Sequence, residues 1–170
     1  NGESERILGA ALRGRRERAM LATKVGLFRI GGKPEGLSPA RVLAALDESL
    51  ARLQTDWVDL YYLHAPDPLT PLTQPLDAIG SLLDSGKIHA WGVSNYASWQ
   101  ILELNLECDR RGMARPAVSQ VLYNLLVRQL ELEYFAFCRS HPLHTTVYNP
   151  LAGGLLARTA ESPGTRLESN

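Results

Sequence analysis

The chain has 170 residues with 18 basic and 18 acidic side chains, so its formal charge is zero, and 45% of its residues are hydrophobic. That length suits one domain with a substantial core. The balanced charge argues against a nucleic-acid binder or a polybasic membrane surface, either of which would show a basic excess. Two cysteines, Cys108 and Cys138, suit neither a disulfide scaffold nor a four-ligand zinc site and read as thiols of a reducing cytoplasm. No apolar run approaches the roughly 20 residues that span a bilayer, and no charged-then-apolar leader opens the chain. A soluble, cytoplasmic protein with neither nucleic-acid nor membrane partners is expected.

In chain order, residues 4–12 read as a helix already under way. Arg13 to Arg18, a charge run with Glu17 inside it, reads as a solvated helix end. An apolar run at 19–25 reads as a buried strand, and the Gly31 to Gly36 stretch after it as a loop. Ser38-Pro39 then places a capping hydroxyl before a proline at the first helical position. Val42, Leu43, Leu46, Leu50 and Leu53 continue as one helical stripe. A second strand is expected at 57–63 and a loop at 66–75. Leu72, Leu76, Ile79, Leu82 and Leu83 form the next stripe, closed by Gly86 as a left-handed cap. After a strand at 88–93, Ile101, Leu102, Leu104 and Leu106 predict a helix ending near Gly112. A strand at 117–123, a short helix carrying Leu132, Phe135 and Ala136, and a strand at 145–148 complete the series. The strand runs are rich in Val, Ile, Trp, Tyr and Thr and mostly apolar on both faces, as strands covered on both sides must be.

The strand runs begin at 19, 57, 88, 117 and 145, hence 38, 31, 29 and 28 residues apart. That is the period of a βαβ unit, whose right-handed crossover leaves successive strands parallel. There is no close sequence repeat beneath the rhythm, and no low-complexity segment or internal linker. Periodicity alone does not separate a barrel from an open sheet.

The residues that end the strands carry the chemistry. Thr23-Lys24, His64, Ser94-Asn95, Gln120 with Asn124, and Tyr148-Asn149 close the five runs in turn. Groups at the carboxyl ends of parallel strands converge on one mouth. Each has a plainer use: a strand-end Lys24 can reach to solvent, His64 can be a satisfied core histidine, Asn95 and Gln120 can satisfy loop backbone, and Tyr148 can pack. If partly buried, Lys24 loses proton affinity and could tune a neighbouring acid. Together, an amine, an imidazole, two amides and an aromatic face suit a polar, planar cofactor ring beside a carbonyl. No Gly-x-Gly-x-x-Gly follows a strand, and neither a P-loop nor a Gly-x-Ser-x-Gly elbow occurs. Gly153-Gly154 is a turn where backbone amides could approach phosphate, though a glycine pair alone is a weak signal. His141 and His144, with Pro142 between them, read as loop residues, and no metal site is expected.

An ordered set of motifs resembles the aldo-keto reductase superfamily, (β/α)8-barrel enzymes that reduce carbonyls with NADPH. It comprises Gly2-Glu3-Ser4-Glu5 with Leu8-Gly9, Ala22-Thr23-Lys24, and Arg52-Leu53-Gln54-Thr55-Asp56 into Val58-Asp59-Leu60. It continues through Tyr62-Leu63-His64-Ala65-Pro66-Asp67, Gly86-Lys87-Ile88, Gly92-Val93-Ser94-Asn95 and Gln120 with Tyr123-Asn124. The last motif is Tyr148-Asn149-Pro150-Leu151-Ala152-Gly153-Gly154-Leu155-Leu156. Ser94-Asn95-Tyr96-Ala97-Ser98-Trp99 and the 148–156 run look most like the aflatoxin-aldehyde-reductase branch, with potassium-channel β subunits more distant.

The resemblance implies a single partial barrel domain over 1–170: strands three to seven with their helices, lacking strands one, two and eight. It implies that Lys24 and His64 are catalytic, the lysine lowering the pKa of a proton-donating tyrosine and the histidine orienting the carbonyl. It also implies that Ser94, Asn95 and Gln120 hold the nicotinamide carboxamide and that Tyr148 stacks on the ring. Asn149, Pro150, Leu151, Ala152, Gly153, Gly154, Leu155 and Leu156 would lie along the pyrophosphate. The cofactor implied is NADPH rather than NADH, and the substrate a small carbonyl compound. Two departures stand out. The family's aspartate and tyrosine belong just before its Gly-x-Ser-Glu motif, and so precede Asn1. After Leu156, Ala157-Arg158-Thr159 replaces small-Gly-Lys, and Gly164-Thr165-Arg166-Leu167 only faintly resembles the family's next segment. The alternatives are a truncated, non-catalytic module that keeps a cofactor-binding or interaction surface, and another barrel enzyme with a phosphate-bearing ligand. Unpaired barrel edges, if nothing completes them, predict self-association.

Overall fold

A computed structural model of the protein describes residues 2–27 and 29–157. Five strands, β1 (Ala22–Val25), β4 (Val58–Leu63), β5 (Ile88–Ser94), β6 (Val118–Leu122) and β7 (His144–Tyr148), form one parallel sheet. Their spatial order is their chain order. Between them run α2 (Pro39–Leu53), α3 (Leu76–Asp84), α4 (Ser98–Arg111) and α5 (Tyr134–Ser140), with α1 (Glu3–Leu12) ahead of β1 and packed on α2. A doubly wound sheet reverses its strand order at a switch point. Here the order never reverses, so the strands are a sector of a β/α barrel, which settles what periodicity left open.

Local signals set the helices. Ser38 Oγ accepts from the Arg41 amide with Pro39 in the first turn, so α2 starts where the cap demands. Gly112 closes α4 at φ 66°, and Gly86 turns the chain after α3 at φ 70°, both conformations in which a Cβ is strained. α5 departs from expectation. Leu132 lies before the helix and is exposed, and Tyr134 is the buried residue instead, its hydroxyl 3.2 Å from Thr145 Oγ1. Leu72 likewise precedes its helix and is half-buried.

The helix-covered face of the sheet holds the core. Val25, Tyr61, Leu63, Trp91 and Val93 are fully buried there, with the Tyr61 hydroxyl donating to Val42 O at 2.9 Å. Burying five such side chains contributes on the order of 10 kcal/mol before entropy is counted. The opposite face is more open: Leu60, Gln120, Leu122 and Thr146 are half-buried and Tyr148 is exposed. Two-sided coverage, expected from the apolar runs, is thus partial on this face among the described residues, where Tyr62, Ser94 and Val118 are buried beside these more open positions.

Three further departures come from long-range partners. Residues 31–36 are not a plain loop. β2 (Arg29–Ile30) and β3 (Lys33–Pro34) pair antiparallel around Gly31 and Gly32, whose φ values of 57° and 80° suit a tight hairpin turn. Arg16 is not solvated: its guanidinium lies 3.7 Å from the Trp57 ring centroid and 2.8 Å from Asp59 Oδ2. His144 opens β7, opposite Val118, rather than lying in a loop. The 164–167 segment lies outside the described residues, as do Arg158 and Thr159.

Both cysteines are free thiols, and no helix among the described residues is long and apolar enough to cross a membrane.

Candidate active site

Strand register brings the strand-end residues together. Lys24 pairs with Tyr62, Tyr62 with Gly92, Ser94 with Gln120, Gln120 with Thr146, and Leu122 with Tyr148. Because side chains alternate along a strand, these all belong to the row opposite the helices. Loop backbone extends the stitching past the strands. The His64 amide donates to Val25 O at 2.8 Å and the Asn95 amide to Gln120 O at 3.1 Å. Lys24, His64, Ser94, Asn95, Gln120 and Tyr148 thus stand around one mouth.

Lys24 and His64 line a cleft of about 740 Å³ bounded by β1, the start of α1 and one face of α2. Both are half-buried. Burial lowers the proton affinity of the Lys24 amine, and its ammonium sits 4.8 Å from the Tyr62 ring centroid. Burial also holds the His64 pKa below the ordinary imidazole value; the Lys24 charge adds to that, and Glu35 partly opposes it. A neutral imidazole beside a half-buried amine can orient a carbonyl oxygen by donating a hydrogen bond.

Asn95 is the junction of the mouth. It adopts a left-handed backbone at φ 61°, a conformation asparagine tolerates better than most residues. Its Nδ2 donates to His64 O at 3.0 Å and to Ser94 Oγ at 3.1 Å, while its Oδ1 accepts from the Tyr148 hydroxyl at 2.8 Å. Three strand ends are locked through one side chain. Ser94 is buried, whereas Gln120 is half-buried and its side-chain amide has no hydrogen bond among the described residues.

After Tyr148 the chain makes a compact turn over Asn149, Pro150, Leu151, Ala152, Gly153, Gly154, Leu155 and Leu156. Asn149, Ala152, Gly153 and Gly154 all have positive φ. Asn149 Oδ1 takes the Gly153 amide at 2.6 Å, and the amides of Ala152, Gly154 and Leu156 are bonded inside the turn. The Asn124 amide braces the turn by donating to Asn149 O at 3.0 Å. Sequence reading expected amides presented to a phosphate; these four are engaged within the turn.

Three contributors escaped the sequence reading. Glu35, between the hairpin and α2, is almost fully buried; its carboxylate takes the Gly26 amide at 2.8 Å and pairs with Arg41 at 3.0 Å. Tyr62 provides the surface beneath Lys24, a place legible only from register. Asp67 organises the loop after His64, accepting from the amides of Leu37 and Leu69, each at 3.0 Å, and from the Thr70 hydroxyl. Its place two residues past His64-Ala65 was the available signal.

The model of the aldo/keto reductase family matches residues 1–169. Aflatoxin B1 aldehyde reductase member 2 of Homo sapiens is 44% identical over 159 residues, 92% of this chain and 43% of that protein. Aldo-keto reductase YhdN of Bacillus subtilis is 35% identical over 158 residues, 91% of this chain and 46% of its own length. A crystal structure of an aldo/keto reductase from Klebsiella pneumoniae in complex with NADP and acetate superposes with a TM-score of 0.75 at 34% identity, covering 90% of this chain and 50% of that one. The chain thus spans about half the length of the relatives it matches. With the family model aligned from Asn1 almost to the last residue, and a barrel sector whose strand ends meet at one mouth, the chain belongs to the aldo/keto reductase family.

Proposed function

We propose that this chain contributes the nicotinamide-facing half of a site that reduces aldehydes or ketones to alcohols with NADPH. The observation that carries the reading is the Tyr148–Asn95–His64 chain of hydrogen bonds, which joins an aromatic face and an amide to the backbone that presents the His64 imidazole, with Lys24 and Gln120 on the same strand-end row. The solved relative bound to NADP supports the choice of cofactor.

NADPH would supply the hydride that adds to the carbonyl carbon. Gln120 fits a ring carboxamide best, because its amide is free to donate and accept at once. Tyr148, with 37% of its surface exposed, offers a ring face for stacking. Asn95 can accept from the carboxamide through the second lone pair of its Oδ1, but with both Nδ2 hydrogens engaged it can donate only by releasing a bond it already makes. Ser94 supports Asn95 from beneath. His64, held neutral, donates to the carbonyl oxygen. Lys24 acts through its charge, depressing the pKa of the tyrosine that the resemblance assigns as proton donor. The turn from Asn149 to Leu156 would lie along the pyrophosphate through its surface, since four of its amides are already engaged.

The test is NADPH oxidation with a small aldehyde by the protein that carries this sequence. Turnover lost in Lys24→Met and cut at least tenfold in His64→Gln is the expected result. NADPH binding without turnover would instead favour a cofactor-binding module, and turnover unaffected by both substitutions would refute the assignment.

A further inference from the structure

We propose that Tyr62 is a positioning residue for Lys24: its ring is the platform that holds the ammonium at the mouth. This deepens the reading above and rests on Lys24 being the working amine.

Four observations carry it. Lys24 and Tyr62 are register partners on adjacent parallel strands, so their side chains leave the same face of the sheet side by side. The Lys24 ammonium lies over the Tyr62 ring, 4.8 Å from its centroid, within the range where the ring quadrupole attracts a cation. The ring itself cannot drift. Tyr62 is only 4% exposed, and its hydroxyl faces the Thr146 side chain of β7. Its other neighbour, Gly92, is a glycine against which the ring packs: a Cβ there would stand 3.0 Å from Tyr62 Cε1 and 2.6 Å from Val118 O. A rigid aromatic face thus lies beneath a half-buried lysine for which burial is the cause of its lowered proton affinity. Removing the face removes the attraction while leaving the burial.

The ionisable groups around Lys24 are Tyr62 from β4, His64 just after it, Glu35 from the segment after the hairpin, Glu3 and Glu5 from α1, and Arg41, Glu48 and Arg52 from α2. Glu35 is paired with Arg41, and Glu5 with Arg52. None of these groups makes an ion pair with Lys24 among the described residues. The aromatic face is therefore the attraction best placed to hold its charged form.

The chain has three lysines, Lys24, Lys33 and Lys87, so ¹³C-dimethylation yields three lysine signals whose titrations can be followed separately. In Tyr62→Leu, the Lys24 signal should titrate lower than in the parent by about half a pH unit or more, while Lys33 and Lys87 do not move. Tyr62→Phe, which keeps the ring, should titrate like the parent. Graded fluorination of a phenylalanine at 62 keeps the volume and should reproduce the shift in steps if Tyr62→Leu does not fold. In turnover, Tyr62→Leu should lower kcat about tenfold with the KM for NADPH unchanged. An unshifted Lys24 in both Tyr62→Leu and the fluorinated series would overturn the proposal, as would an equal shift in Tyr62→Phe, which would place the effect in the hydroxyl. Because the titration needs no turnover, a shifted Lys24 in an inactive protein would sink the catalytic reading and leave the positioning claim standing.

Discussion

The Tyr148 hydroxyl donates to Asn95 Oδ1 at 2.8 Å across 53 residues of sequence, joining the end of β7 to the turn after β5. Asn95 passes the connection on to His64 O at 3.0 Å. The orientation of the Tyr148 ring is therefore coupled to the loop that presents His64.

That coupling separates the ring from its hydroxyl. Tyr148→Phe keeps the stacking face and should weaken NADPH binding by no more than about threefold, whereas Tyr148→Ala should cost about tenfold, roughly 1.4 kcal/mol. Isothermal titration of the two variants beside the parent reads the difference.

Gly92 is a packing requirement of the same face. Gly92→Ala would bring a Cβ to 2.6 Å from the Val118 carbonyl oxygen and 2.8 Å from Val118 Cγ1. Backbone cannot yield as a side-chain tip can, so a loss of about 2–3 kcal/mol is expected in urea unfolding.

At the other end of the sheet, Arg16 lies 3.7 Å from the Trp57 ring centroid, and Trp57 in turn stacks on His89 at 4.3 Å. Arg16→Ala should cost about 1–2 kcal/mol through the lost cation–π contact and the lost ion pair with Asp59. Burial pushes the Asp59 carboxyl up, but the Leu21 amide and Arg16 outweigh it and leave the pKa below the usual carboxylate value. A depressed folded-state pKa means that stabilisation is present above the unfolded value, near pH 4, and disappears as pH falls through the folded one. The variant's deficit should accordingly shrink below pH 4 in urea melts.

His64 gives a pH dependence of the same sign in a higher window. Burial, aided by the Lys24 charge, lowers its proton affinity in the folded state, so the unfolded chain binds the proton more tightly. Stability should then rise with pH through the window just below about 6.5. His64→Gln should flatten that slope, which urea midpoints between pH 5 and 7 will show.

How much of this was legible depended on the distance between partners. Ser38, Pro39, Gly86 and Gly112 act within a turn of their own positions, and their signals survive in sequence. Lys24, His64, Asn95, Gln120 and Tyr148 were visible because a parallel α/β rhythm brings strand ends together whatever the detailed packing. Arg16 was misread because its partner Asp59 is 43 residues away and nothing local marks the pairing. Glu35 was missed because a hairpin of two-residue strands leaves almost no periodicity, and Tyr62 because only register shows that it lies beneath Lys24. The 149–156 turn was identified by its residues, but the inward bonding of its amides depends on four positive φ values that no composition reveals.

The most direct test is an intermolecular NOE measurement on the protein bound to NADP, with the Tyr148 ring and the Gln120 side-chain amide assigned. NOEs from nicotinamide ring protons to Tyr148, and from the carboxamide to Gln120, are the expected result. A bound cofactor whose nicotinamide protons contact neither residue would contradict the placement of the site at this mouth.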